Sequence, residues 1–151
     1  MGDDFVHELN GMFAIVIYDT QEDFTYFFRD RLGVKPLYYG IIDDTLYFAS
    51  ELKSVLAAIP DNKLNTNHQA IIDFLQLGYI PKPFTIYEEI YKFPPGAKGF
   101  YNGSELAVSY YWKAEEKVSA QTKFADNFNG AKTHLKDLLE DAVRLRMIAD
   151  V

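Results

Sequence analysis

The chain has 151 residues, of which 48% are apolar and 25% charged, a composition that fits a globular protein with one sizeable core. Acidic residues outnumber basic ones, 22 to 15, for a net charge of -7; this argues against nucleic acid or an anionic membrane as partner, because both demand clustered Lys and Arg. There is no cysteine, which removes disulfides, thiolate metal sites and thiol nucleophiles from this chain and points to a cytoplasmic protein without a redox role.

No apolar run approaches the ~20 residues of a membrane helix. The opening "MGDDFV" lacks the basic-then-apolar form of a signal peptide, and Val6 stands where a myristoylation motif has Ser or Thr. "DDFVHELNG" reads as the end of a helix, with Phe5, Val6 and Leu9 on one face and Asn10-Gly11 as the stop. "MFAIVIYD" follows, apolar from Met12 to Tyr18. Its lack of alternation predicts a strand covered on both faces. "TQED" is a polar turn, and "FTYFFRD" is a second strand with Phe24, Tyr26 and Phe28 on one side and Thr25, Phe27 and Arg29 on the other. The two form an antiparallel hairpin.

"PLYYGII" and "TLYFAS", separated by Asp43-Asp44, form a second hairpin. "ELKSVLAAI" is a short helix with Leu52, Val55, Leu56 and Ile59 on one stripe, Ser50 as N-cap and Glu51 in the first turn. Asn65-Thr66-Asn67 opens the helix "HQAIIDFLQLG", ended by Gly78. "YIPKPFTIYEEIYKFPPG" carries so much proline that it reads as an extended surface connection. "AKGFYNGSELAVSYYW" is a third hairpin with Asn102-Gly103 in its turn.

The polar "KAEEKVSAQTK" reads as a linker, and 124–149 as a helix with Phe128, Ala131, Leu135, Leu138, Ala142, Leu145 and Ala149 at alternating spacings of three and four. Glu140 and Arg144 form an i,i+4 pair on that helix. A helix packed on a neighbouring sheet is the preferred reading there, with a coiled coil as the other.

From residue types and spacing alone, no catalytic constellation is visible. There is no P-loop, no G-x-G-x-x-G and no G-x-S-x-G. His7, His68 and His134 lie far apart, outside any metal-ligand spacing. The carboxylate pairs Asp3-Asp4, Asp43-Asp44, Glu88-Glu89 and Glu115-Glu116 are sequence neighbours, the arrangement of solvated turns rather than of an acid/base pair. The densest cluster of charge is "RDRLGVKPLYYG", Arg29 to Gly40. Gly33 permits a positive φ and Pro36 imposes a fixed one, so the segment can turn sharply. Arg29 and Arg31 are placed to bond carbonyls or carboxylates around the turn. A strand connection pinned by an ion pair is the main reading; a phosphate contact through Arg31 or Lys35 is the other.

"LNGMFAIVIYD", "RDRLGVKPLYY" and "FASELKSVL" in this order, followed by "IIDFLQLGYIPKPFTIYEEIYKFPPG", "YYW" and "RLRMIADV", closely resemble the glutamine-hydrolysing asparagine synthetase family over essentially the whole chain. The resemblance implies an α+β fold: part of an Ntn-hydrolase αββα sandwich, followed by a helix of an α/β ATP-pyrophosphatase domain. It divides the chain into 1–112, the C-terminal part of a class II glutamine amidotransferase domain with the interdomain connection; 113–123, a linker; and 124–151, the first helix of the synthetase domain. The family's N-terminal cysteine nucleophile, its R-G-P and N-G-E motifs and its S-G-G-x-D-S loop have no match here, so a fragment without catalytic residues is the expectation.

The resemblance further implies glutamine, aspartate and ATP as substrates of the parent protein, with Mg as its metal and no cofactor bound by this chain itself. The rest of the same polypeptide is the expected partner, with a homodimer also possible. Arg29, Asp30, Gly33, Pro36 and Glu51 match a recurrent structural framework, and Met12 and Val34 are candidate positions on the family's ammonia tunnel. The alternatives left open are an amidotransferase for another acceptor, including the phosphoribosyl and hexosamine types, and a non-catalytic interaction module.

Overall fold

A computed structural model describes residues 3–119 and 127–147. Local turn chemistry builds its three hairpins. β1 (Ala14–Asp19) pairs antiparallel with β2 (Phe24–Arg29), and the turn between them closes as the Asp19 carboxylate accepts the amides of Gln21 and Glu22 at 2.9 and 3.2 Å. β3 (Tyr38–Ile42) pairs with β4 (Thr45–Ala49). Asp43 and Asp44 between them both take positive φ, 48° and 58°, the two-residue turn whose twist matches that of the strands. β6 (Ala97–Tyr101) pairs with β7 (Leu106–Tyr110). Here the connection is a four-residue loop, in which Asn102 Oδ1 accepts the amides of Ser104 and Glu105. Between these last two hairpins lies β5 (Tyr91–Lys92), a short strand on β3.

The strands assemble into two antiparallel sheets, in the orders β1-β2-β6-β7 and β4-β3-β5. Phe27, Leu37, Phe93, Ala97 and Tyr101 are buried between them, with Tyr39, Ile41 and Leu46 of the second sheet packed on this cluster. α1 (Leu52–Ala58) covers the other face of the second sheet, where Val55 and Ile59 meet Ile42 and Ile90. The predicted stripe of α1 is therefore the stripe it buries. These layers are α+β, helix on sheet on sheet.

Sheet order corrects one expectation. β1 is an edge strand, and Ile17 and Tyr18 are 44% and 58% exposed, so the run from Met12 to Tyr18 is not covered on both faces within the described residues. The proline-rich stretch also departs from a surface connection. Thr85, Ile90 and Phe93 are almost fully buried, because β5 inserts that segment beside β3 and Thr85 Oγ1 donates to the Ile90 carbonyl at 2.8 Å. Gly99 has no side chain because the Phe93 ring stands 2.8 Å from where a Cβ would be.

Residues 3–7 form a 3-10 turn rather than an α-helix end, with Val6 buried and the Phe5 ring edge-on to Phe28. The N-cap of α1 is Glu51, not Ser50, and it makes no side-chain cap bond; its carboxylate pairs instead with Lys53 at 2.7 Å. α2 (His68–Leu77) begins and ends as predicted. Asn67 caps it by accepting the Ala70 amide, and Gly78 leaves it with φ 77°.

The chain divides into two compact units, 1–114 and 115–151. α3 (Ala114–Ser119) occupies the first half of the expected linker; the rest of that linker, 120–123, lies outside the described residues. In the second unit α4 (Phe128–Arg146) is capped by Asn127, which accepts the Gly130 amide. Positions 124–126 and 148–149 of the predicted helix lie outside the described residues. Arg144 pairs with Asp141 at 2.5 Å rather than with Glu140, which takes Lys136 instead. Leu135, Leu138 and Leu145 of the predicted apolar stripe are all exposed. Among the described residues no helix is long and apolar enough to cross a membrane.

Candidate functional site

The end of β2 delivers two charged side chains into a region of low solvent access, and the chain meets their needs with backbone. Asp30 is 2% exposed. Its Oδ1 accepts the amides of Leu32 and Val34 at 3.2 and 2.9 Å, and its Oδ2 those of Phe13 and Lys35 at 3.3 and 3.0 Å. The loop after β2 thus wraps its own N–H groups around one carboxylate. Burial alone pushes the Asp30 carboxyl up, but the amides of Lys35, Val34, Phe13 and Gly33 outweigh it and hold the group below the usual carboxylate range. Asp30 is also tied through its backbone: its N–H donates to the Phe13 carbonyl, and its carbonyl accepts the amides of Gly33 and Gly96.

Arg29 does the converse, donating to three carbonyls. Nε reaches Lys35 at 2.8 Å, one terminal nitrogen reaches Gly33 at 2.9 Å, and the other donates to Phe93. Burial pulls its pKa down, but a guanidinium stays charged regardless. Arg31 donates to the carbonyls of Leu9 and His7 at 3.0 and 3.2 Å. The turn is therefore pinned, as predicted, but by charge-to-backbone bonds rather than by an ion pair. The geometry gives Arg31 carbonyl partners in place of a phosphate.

Gly33 is a position that no other residue fills easily. Its φ is 68°, and a Cβ there would stand 2.9 Å from the Pro95 Cβ and 3.2 Å from the Arg29 guanidinium carbon. Pro36 follows in the exposed part of the loop, just before the buried Leu37, whose carbonyl accepts the Phe93 amide.

Of the sequence-derived positions, Arg29, Asp30 and Gly33 meet in one knot, with the Val34 amide on Asp30. Met12 precedes Phe13, whose amide and carbonyl both bond Asp30. Met12 and Val34 are 44% and 52% exposed, and Leu32 is 74% exposed, so apolar side chains flank a buried charge. Glu51 is not part of the knot; it sits at the start of α1 with its carboxylate on Lys53.

Three contributors were not singled out from sequence: Phe93, Gly96 and Tyr111. Gly96 has φ 64°, and the Trp112 carbonyl oxygen lies 2.4 Å from where its Cβ would stand. Its own carbonyl accepts the amides of Tyr111 and Trp112. Tyr111 donates its hydroxyl to the Arg29 carbonyl at 2.8 Å and packs edge-on against the His7 ring. Burial raises the pKa of that hydroxyl, with Arg31 opposing and Asp30 assisting, so it remains a donor. "FPPG" and "YYW" were the only signals, and neither names a partner.

The knot contains no nucleophile, and every charge in it is satisfied by backbone. Chemically it can hold shape and present an apolar rim; it offers no acid/base pair. Among the described residues no group of three or more His, Asp or Glu is placed to hold a metal ion.

A family pattern described as a glutamine amidotransferase domain matches residues 1–112. Over its full length the chain is 36% identical to a putative glutamine-hydrolyzing asparagine synthetase 2 of Methanocaldococcus jannaschii, covering 29% of that protein. It is 30% identical to the glutamine-hydrolyzing asparagine synthetase 1 of Bacillus subtilis, with 95% of this chain and 22% of the relative aligned. Asparagine synthetase 3 of the same organism is 31% identical over 99% of this chain and 24% of its own length. The chain thus spans about a quarter of the length of the relatives it matches.

Proposed function

The chain belongs to the glutamine amidotransferase domain family, and from that premise we propose that it serves a glutamine-hydrolysing asparagine synthetase as scaffold and domain junction. The alignment to such synthetases continues past residue 112 to cover 95–100% of the chain, and that single observation carries the reading. A generic glutaminase module would account for the first 112 residues; it would not account for α3 and α4.

In this reading the whole protein hydrolyses glutamine to glutamate and ammonia. ATP activates the aspartate side-chain carboxylate as an aspartyl-adenylate, with release of pyrophosphate, and ammonia displaces AMP to give asparagine. Residues 1–112 are the C-terminal part of an Ntn-type sandwich, 113–123 the connection, and 124–151, which carries α4, the start of an ATP-pyrophosphatase domain. The protein is cytoplasmic. The described residues offer no fit for Mg, so no step through Mg or ATP is assigned to this chain.

The chain's own contribution is geometric. Arg29, Asp30 and Gly33 fix the loop after β2, with Pro36 shaping its exit and Glu51 starting α1. The loop holds Val34, and through Phe13 it holds Met12, at an apolar rim beside the path of ammonia. Neutral ammonia is favoured over ammonium by such a lining, because an apolar wall offers no compensation for a desolvated charge.

The test is product analysis on the whole protein with glutamine, aspartate and MgATP. Asparagine, glutamate and AMP in equal amounts are expected, and no ammonia release from glutamine by the 151-residue chain alone. An amidated product from a different carboxylate would move the protein to the second reading, an amidotransferase for another acceptor. Beside that reading stands one observation: a relative 28% identical over 97% of the chain, from Gibberella zeae, carries a name other than asparagine synthetase, amidase chry2.

A further inference from the structure

The knot at Asp30 is reached from a third direction by the segment that leaves the first unit. Tyr111 and Trp112 both donate their amides to the Gly96 carbonyl, and the Gly96 amide donates to the Asp30 carbonyl. The Tyr111 hydroxyl spans 82 positions of sequence to reach the Arg29 carbonyl. Its ring lies against His7, whose carbonyl accepts from Arg31. The exit segment, the loop after β2 and the N-terminal 3-10 turn therefore share one set of bonds. Tyr111 lies three positions before the last residue of the first unit, Ala114.

We propose that Tyr111 is the positioning residue that couples the two halves of the enzyme, clamping the outgoing chain to the loop that presents Val34. The inference rests on the synthetase reading above and adds a residue and a role to it. A pull on the exit segment is transmitted through the Tyr111 hydroxyl to the Arg29 carbonyl, which is part of the peptide unit it shares with Asp30, and through the Asp30 carboxylate to the Val34 amide. Gly96 makes the clamp tight, since any Cβ there would collide with the Trp112 carbonyl. The neighbour Tyr110 is 52% exposed, with Lys113 over its ring, and supplies an internal control.

The clamp predicts a specific defect. In Tyr111→Phe the ring stays against His7 and only the hydroxyl bond is lost, so both half-reactions persist while their coupling loosens. Loss of one hydrogen bond of ordinary net strength shifts such an equilibrium about fivefold. The experiment uses the whole protein and measures glutamate formed per asparagine, together with the rates of glutamine hydrolysis and of asparagine synthesis from added ammonium.

The expected result is a rise of about fivefold in uncoupled glutamate for Tyr111→Phe, with both separate rates within twofold of the parent and Tyr110→Phe unchanged. An unchanged ratio in Tyr111→Phe overturns the clamp and leaves the synthetase reading intact. An equal rise in Tyr110→Phe, or a matching fall in both half-reactions, also overturns it, since either marks a general loss of packing. If the parent protein makes no asparagine, the synthetase reading falls and the inference with it.

Discussion

Replacing Asp30 by asparagine isolates the charge at the centre of the knot while keeping its shape. Each carboxylate oxygen accepts one shorter and one longer bond: Val34 at 2.9 Å with Leu32 at 3.2 Å, and Lys35 at 3.0 Å with Phe13 at 3.3 Å. An amide can turn its oxygen to either pair, but its NH2 then faces the other pair of donors, and either flip loses one shorter and one longer bond. One well-made and one long bond to a buried charge, left without an acceptor, cost about 2 and about 1 kcal/mol. Asp30→Asn should therefore destabilise the fold by about 3 kcal/mol. With a urea m-value of about 2 kcal/mol/M, the midpoint falls by about 1.5 M. Trp112 is the sole tryptophan, and its amide is bonded to Gly96 beside the knot, so its fluorescence reports the transition. A loss below about 1 kcal/mol would refute the claim that the four amides depend on the charge.

The same group sets a pH dependence. Its folded pKa lies below the unfolded value of about 3.9, so its stabilisation is complete above that pH and is lost as pH falls through the folded value. Urea midpoints of the parent should drop below about pH 4, and Asp30→Asn should show a shallower drop; the residual slope includes Glu89, which titrates in the same direction. Gly33→Ala combines a strained φ with a collision against Pro95 and should cost about 2–3 kcal/mol, whereas Gly78→Ala, with a similar φ and nothing within 4 Å, should cost about 1 kcal/mol; equal losses in parallel denaturation curves would remove the steric part of the argument. Thr85→Val leaves the Tyr87 amide and the Ile90 carbonyl without their hydroxyl partner in a site 2% exposed, and should lower stability by about 1–3 kcal/mol with little change in volume.

The turn of the second hairpin and the caps of α2 were legible because their causes are local. Asp43-Asp44 closes the second hairpin and Asn67 and Gly78 bound α2 within a few residues of themselves, and the α1 stripe names its own buried face. The loop after β2 was recognisable as a pinned turn for the same reason: a glycine, a proline and two arginines lie within eight positions. Its partners were not recognisable. Arg29 bonds Phe93 and is bonded by Tyr111, 64 and 82 residues away, and no periodicity encodes a contact at that range. An apolar run such as Met12 to Tyr18 cannot state what covers its two faces; in the fold Val16 joins the core cluster while Ile17, opposite Tyr26 on the other face, stands exposed. Thr85, Ile90 and Phe93 look like surface loop among prolines until β5 pairs with β3 and buries them. By itself the sequence determined the three hairpins, the positions of α1 and α2, the kinship and the absence of a thiol nucleophile from this chain. The tertiary structure alone decided that Arg29 and Asp30 bond backbone rather than each other, because desolvated charges take whatever donors and acceptors the fold brings within 3 Å.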